Sequence, residues 1–175
     1  MISLLSLDIS AASTGWSYTI DGKSFKGGLI KTSPKLERAD RLCVFYNQLR
    51  EVFYKTKPTH VVIEDTFSGK NVKTLKILSE FAGVAKFCCM FVLNIEPYII
   101  SNHTVKAFFK AKTKKDLFNF MVSILGKKDL IFSKENDIID AQAQLMCYTQ
   151  LVLDLYTYRL DKEYGYLYFS EAIDE

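Results

Sequence analysis

A chain of 175 residues, 49% hydrophobic with a net charge of +3, has the size and apolar content of one folded domain rather than of a disordered polymer. Its longest apolar run, Phe87 to Ile95, is broken by Asn94 and bounded by Lys86 and Glu96, short of the roughly 18 residues a membrane helix needs. Met1-Ile2-Ser3-Leu4-Leu5 lacks a basic lead-in and a cleavage site, and the four cysteines lack CxxC spacing, so we expect a cytoplasmic protein with buried, reduced thiols and no zinc site.

Ile2 to Ile9 reads as a buried strand, and Thr14 to Ile20 and Ser24 to Ile30 flank Asp21-Gly22, a hairpin signal. Ser33-Pro34 opens a helix in which Leu36, Ala39, Leu42, Cys43, Tyr46, Leu49 and Phe53 recur at three- and four-residue steps, ending before Pro58. His60 to Glu64 is a second buried strand. Val72 to Leu93 is helical and apolar almost all round, which predicts heavy burial. Pro97 to Ile100 is a short strand, Lys114 to Leu125 a helix ended by Gly126, and Ile138 to Tyr156 a long last helix capped by Asn136 or Asp137. The order implies an α/β fold, a mixed sheet with three antiparallel N-terminal strands and helices packed on its faces. We take residues 1–158 as one domain and 159–175 as a Tyr-rich, acidic tail without a readable pattern.

Charge is unevenly spread. Ser101 to Lys134 carries eight lysines and two aspartates, while Glu135 to Glu175 carries nine acids and two basic residues. A basic segment beside an acidic one suits phosphate binding next to a carboxylate metal site. Four acids stand in unusual surroundings. Asp8 follows Leu5-Ser6-Leu7 in the first strand, Glu64 ends His60–Glu64, and Asp137 and Asp140 begin the last helix with i, i+3 spacing that gives them one face. Each has an ordinary reading: a turn aspartate for Asp8, a lysine partner for Glu64, a helix cap for Asp137. Together they would crowd ionised oxygens at the edge of an apolar core, a cost that divalent cations relieve, and hard oxygen ligands select Mg²⁺ or Mn²⁺. The two histidines, His60 and His103, read as structural, and nothing forms a serine or cysteine nucleophile arrangement.

The same residues carry a family resemblance. Leu7-Asp8-Ile9-Ser10 with Ser13-Thr14-Gly15-Trp16, then Val62-Ile63-Glu64 with Asp65-Thr66-Phe67, then Asp137-Ile138-Ile139-Asp140-Ala141 resemble, in order, the three motifs of RuvC-type Holliday-junction resolvases. The resemblance reaches to about residue 150. It implies a ribonuclease H-like fold with a five-stranded sheet, and a homodimer that nicks opposing strands of a four-way DNA junction symmetrically. It also implies two Mg²⁺ ions held by Asp8, Glu64, Asp137 and Asp140, with Mn²⁺ able to substitute. Phe67 matches the position of an aromatic wedge at the crossover, with a loop phenylalanine folded back on the core as the plainer reading. Lys106 and Lys115 match the basic residues beside the scissile phosphate, with Lys112 and Lys114 close competitors for the second role. Lys70 and Lys73, with Lys76, stand at helical spacing and suit either a phosphate-tracking stripe or a solvated face. Ser10 replaces the glycine common after the motif's aspartate, and its hydroxyl is placed to contact phosphate or a metal-bound water. The small, lysine- and aromatic-rich chain is more like a phage or viral member than a bacterial housekeeping one.

Three other readings compete. An actin-like ATPase also begins with an aspartate and a Ser-Thr-Gly turn, but needs a duplicated domain and a later aspartate with paired glycines. Here the only pair, Gly27-Gly28, lies in the hairpin. A general fork or flap nuclease of the same superfamily keeps the chemistry and changes the substrate. A non-catalytic junction binder would be expected to have lost at least one of the four acids.

Overall fold

The computed structural model describes residues 2–66, 72–125, 130–160 and 167–171. Strands β1 (Leu4–Asp8), β2 (Ser13–Thr19) and β3 (Lys26–Lys31) form an antiparallel meander. The long helix α1 (Arg38–Thr56) follows, then β4 (His60–Glu64), which pairs parallel to β1, and α2 (Val72–Cys88), which runs into one π-helical turn at Cys89–Leu93. The last sheet strand is β5 (Tyr98–Ile100), parallel to β4, and α3 (Asn102–Phe108), α4 (Lys114–Leu125) and α5 (Phe132–Leu151) complete the domain. The five-stranded sheet has the order β3-β2-β1-β4-β5. This is the α/β, mixed-sheet architecture expected from the sequence, with helices on both faces.

Side-chain alternation along β1 and β4 decides what each face holds. Leu5, Leu7, Val61 and Ile63 face α1 and α2, where Phe45, Leu49, Phe53 and Phe81 complete a hydrocarbon core. Leu4 and Val62 face the opposite way, into a second core built with Val105, Leu117, Met121, Leu145 and Met146 from α3, α4 and α5. Ser6, Asp8 and Glu64 keep the parity of Leu4 and Val62, so they share the α5 face.

Several expectations are corrected. The helix predicted from Ile138 starts at Phe132, because Glu135 reaches back to accept the Ile131 N–H at 2.8 Å and closes an earlier first turn. Asp137 and Asp140 therefore lie inside α5 rather than at its start, and neither Asn136 nor Asp137 is its cap. The α2 region is not buried all round: Phe87, Met90 and Phe91 are 58%, 49% and 71% exposed. Cys43 is also exposed, while Cys88, Cys89 and Cys147 are buried as expected and all four are free. A short helix, α3, and an antiparallel pair, β6 (Tyr156–Leu160) with β7 (Leu167–Glu171), had no counterpart in the sequence reading. The proposed boundary at residue 158 falls within β6.

Candidate active site

The site is assembled from the ends of two parallel strands and the side of one helix. Asp8 is the last residue of β1 and Glu64 the last of β4, and Leu7 pairs with Ile63, so both acids leave the sheet at the same edge. Above that edge passes α5, held unusually close. A Cβ on Gly15, the β2 residue paired with Asp8, would sit 1.9 Å from the Asp137 carbonyl oxygen. No side chain fits there, and this absence lets the helix bring Asp137 and Asp140 down to Asp8. Gly27 has a similar role one strand over, where a Cβ would meet Ile138 at 2.8 Å.

Carboxylate oxygens of Asp8, Asp137 and Asp140 lie within 4.8 Å of one another, and Asp8 and Asp140 are 7% and 3% exposed. Burial, followed by the negative charge of Glu64, holds the Asp8 carboxyl well above the usual carboxylate range. Burial likewise pushes Asp140 up to about 6, against the opposing pull of Lys114. Asp140 Oδ1 is buried with no hydrogen-bond partner. An oxygen-only set of this kind, one of whose members keeps a buried oxygen without a hydrogen bond, fits a hard divalent cation.

Lys114 is the positive charge of the site. Its Nζ lies 2.5 Å from Asp140 Oδ2, 3.7 Å from Asp8 Oδ2 and 4.0 Å from Asp137 Oδ1. Burial alone would lower its ammonium, yet Asp8, Asp140 and Glu64 together hold it above the ordinary lysine range. Local sequence explains its placement. Thr113 and Asp116 cap each other reciprocally, Thr113 N–H to Asp116 Oδ2 at 2.9 Å and Asp116 N–H to Thr113 Oγ1 at 3.1 Å. That box fixes α4 to begin at Lys114 and turns it inward, leaving Lys112 and Lys115 exposed.

A cleft of about 360 Å³ joins Asp8, Glu64 and Asp137 to Ser10, Lys106 and Lys114. Lys106, on α3, lines this cleft with the acids; of the three competing lysines, the structure brings Lys114 to them and not Lys112 or Lys115. Ser10 sits at the cleft with its backbone anchored by Thr14, whose hydroxyl accepts from the Ser10 N–H at 3.1 Å and donates to its carbonyl at 2.9 Å. Its φ is not positive, so the replacement of glycine costs no left-handed strain. Lys73 and Lys76 are exposed on α2. Phe67 and Lys70 lie outside the described residues.

Sequence reasoning missed three polar partners. Asn102 Nδ2 donates to Glu64 Oε1 at 3.1 Å, Gln144 Nε2 donates to Glu64 Oε2 at 3.0 Å, and Ser6 Oγ donates to Gln144 Oε1 at 3.0 Å. The signal was present for Gln144: Asp137, Asp140 and Gln144 stand at i, i+3 and i+7, one continuous helical face.

A mixed sheet of this topology, with acids converging from its two central strand ends and a crossing helix, defines a ribonuclease H-like nuclease. Residues 9–148 match the family model described as "Crossover junction endodeoxyribonuclease RuvC", and the chain belongs to that family. It is 29% identical over 153 residues to the enzyme of that name from Caldicellulosiruptor saccharolyticus, covering 83% of this chain and 90% of the relative. It is 32% identical over 123 residues to that from Brachyspira hyodysenteriae, covering 69% of this chain and 74% of the relative. Among solved structures it superposes, at a TM-score of 0.72 and 18% identity, on Thermus thermophilus RuvC in complex with a Holliday junction substrate, over 87% of this chain and 97% of that one. The last likeness is one of fold.

Proposed function

We propose that this chain resolves four-way DNA junctions by paired, symmetric nicks, through hydrolysis that depends on two Mg²⁺ ions for which Mn²⁺ substitutes. The observation that carries the chemistry is the cluster of Asp8, Asp137 and Asp140 with Glu64 beside it. These four acids would hold the ions, and the bound cations would supply water activation and stabilisation of the leaving 3′ oxygen. The protein's own part is positioning and charge. Asp8 and Glu64 stand on rigid strand ends and Asp137 and Asp140 on a packed helix, which keeps four ligands pre-arranged. Lys114 balances their charge in the cation-free site. With cations in place its ammonium is the group nearest to neutralise charge developing on the attacked phosphate, with Lys106 on the facing wall.

The wider reading is a homodimer whose two sites address opposing strands, with Phe67 wedging a base step and Ser10, Lys70, Lys73, Lys112 and Lys115 tracking phosphate. Support for a dimer comes from the exposed face on α1 and α2. There Phe87 and Phe91 stack at 5.3 Å, Tyr46 lies 6.5 Å from Phe87, and an apolar groove is lined by Leu42, Tyr46, Val84 and Phe87. Among the described residues no helix is long and apolar enough to cross a membrane; we place the enzyme in the cytoplasm, that of a bacterial host if it is phage-encoded.

The test is cleavage of labelled four-way junctions, Y-forks and linear duplex with Mg²⁺ or Mn²⁺, each beside an EDTA control. Paired, symmetric, cation-dependent nicks confined to the junction are expected. Equal or better cutting of forks would move the role to general debranching. Tight junction binding without any cutting would overturn the enzymatic reading.

A further inference from the structure

Gln144 is an odd residue to bury. It lies in the middle of α5, 2% exposed, between Ala143 and Leu145 of the core. An amide in such a place costs free energy unless both of its ends are satisfied, and here both are. The Glu64 carboxylate only accepts, so the Gln144 NH₂ must be the end facing it, at 3.0 Å. That leaves the amide oxygen for the Ser6 hydroxyl, itself fully buried, at 3.0 Å. Ser6 therefore sets which way the amide points, and the amide sets where Glu64 Oε2 points. On the other side Asn102 donates to Oε1 at 3.1 Å.

From this chain, which runs through the core and ends on one of the four acids, we infer that Ser6 and Gln144 are positioning residues for divalent-cation binding, holding Glu64 in the orientation the cation requires. The inference rests on the proposed cation site. The donors are neutral, which matters physically. A lysine or arginine in the same place would compete with the cation for Glu64, whereas an amide fixes the carboxylate and leaves lone pairs on both oxygens. Two consecutive strand residues of one parity, Ser6 and Asp8, thus serve the site differently, one by orienting Glu64 through Gln144 and the other as a direct ligand. Groups that orient ligands in this way are commonly worth about 10–100-fold in cation affinity.

The experiment is calorimetric titration of Mg²⁺ and of Mn²⁺ into the full chain, wild type, Gln144→Leu, Gln144→Met and Ser6→Ala, with thermal unfolding of each in EDTA. Gln144→Leu should bind cation about 10–100-fold more weakly, with at most a modest fall of its unfolding temperature in EDTA because the buried Ser6 hydroxyl loses its acceptor. Ser6→Ala should show a smaller loss in the same direction. Gln144→Met serves if the branched side chain prevents folding. Cation affinity equal to wild type in a folded Gln144 variant would overturn the inference while leaving the site intact. A wild-type chain that binds neither cation would instead overturn the site reading on which it rests.

Discussion

The two faces of the central sheet are built from the same two strands and obey opposite rules. Toward α1 and α2, β1 and β4 present Leu5, Leu7, Val61 and Ile63 to Phe45, Leu49, Phe53 and Phe81 in an apolar layer. Toward α5 they present Ser6, Asp8 and Glu64, and the helix answers with Asp137, Asp140 and Gln144. Leu4 and Val62 anchor a second hydrocarbon core on this side as well, so both faces hold the fold, and only this one spends part of that stability on a cluster of like charges at the strand ends. The difference teaches that a pleated strand can carry a buried acid beside hydrocarbon neighbours, because residues one apart never share a face. It also explains why the acids sit at the strand ends, where the hydrocarbon layer runs out and a cleft can open.

Removing charge from the polar face should produce the largest effect on chemistry. Asp140→Asn is expected to lower junction cutting by about 10³-fold or more, since a cation ligand is lost. Unlike most buried substitutions it should raise the unfolding temperature in EDTA above pH 6, because burial disfavours the ionised Asp140 carboxyl by more than Lys114 favours it. A drop in EDTA stability would break the claim that this face costs the fold anything. On the dry face the signs reverse. Phe53→Ala, at a fully buried position, should cost about 3–5 kcal/mol in denaturant unfolding and leave cation affinity of the remaining folded protein unchanged.

Adjacent lysines sharpen the contrast further. Lys114→Met should reduce the rate of cutting about 10²-fold, as loss of one pre-placed positive group typically does, whereas Lys115→Met should stay within about threefold, as exposed substitutions do. Equal losses in single-turnover assays would show that the α4 capping box does not decide which lysine works.

How much of this was legible in the sequence follows from the range of the forces involved. Strand alternation and helical spacing are local, so the five sheet strands, the body of α1 and the α4 span were readable from residues 4–64, 98–100 and 114–125, although α1 begins at Arg38 and not at the Ser33-Pro34 opening. The start of α5 was misread because its determinant is one side chain, Glu135, reaching back four residues, and Asn136 and Asp137 are equally good caps on composition alone. The choice of Lys114 over Lys115 turned on the Thr113–Asp116 box, a signal that was present and went unused. The exposed Phe87 and Phe91 could not be foreseen, since apolarity all round a helix says that each face wants cover and not which face finds it within the chain. Ser6 and Gln144 lie 138 residues apart, and only the fold pairs them.

A pH dependence reads the cost of the polar face directly. Asp140 is raised to about 6 and Asp8 in the same direction, both first by burial. Between about pH 4 and pH 6 the folded, cation-free chain keeps protons that the unfolded chain releases, so stability must fall as pH rises through that window and then level off. A shift of this size at Asp140 corresponds to about 3 kcal/mol, and Asp8 adds to it. Asp21, in the β2–β3 hairpin, is lowered to about 2, chiefly by the Ser24 backbone N–H. Its contribution is therefore lost only as pH falls below about 4, and the two windows do not overlap. Thermal unfolding at pH 5, 6, 7 and 8 should show a falling melting temperature in EDTA and a level or rising one in Mg²⁺, because the cation binds the ionised acids and takes over the charge that burial leaves uncompensated. In Asp140→Asn the EDTA slope should diminish, leaving the part that Asp8 contributes. A wild-type EDTA trace that is flat from pH 5 to pH 7 would mean that Lys114 alone already neutralises the cluster, and the polar face would then cost the fold no more than the dry one.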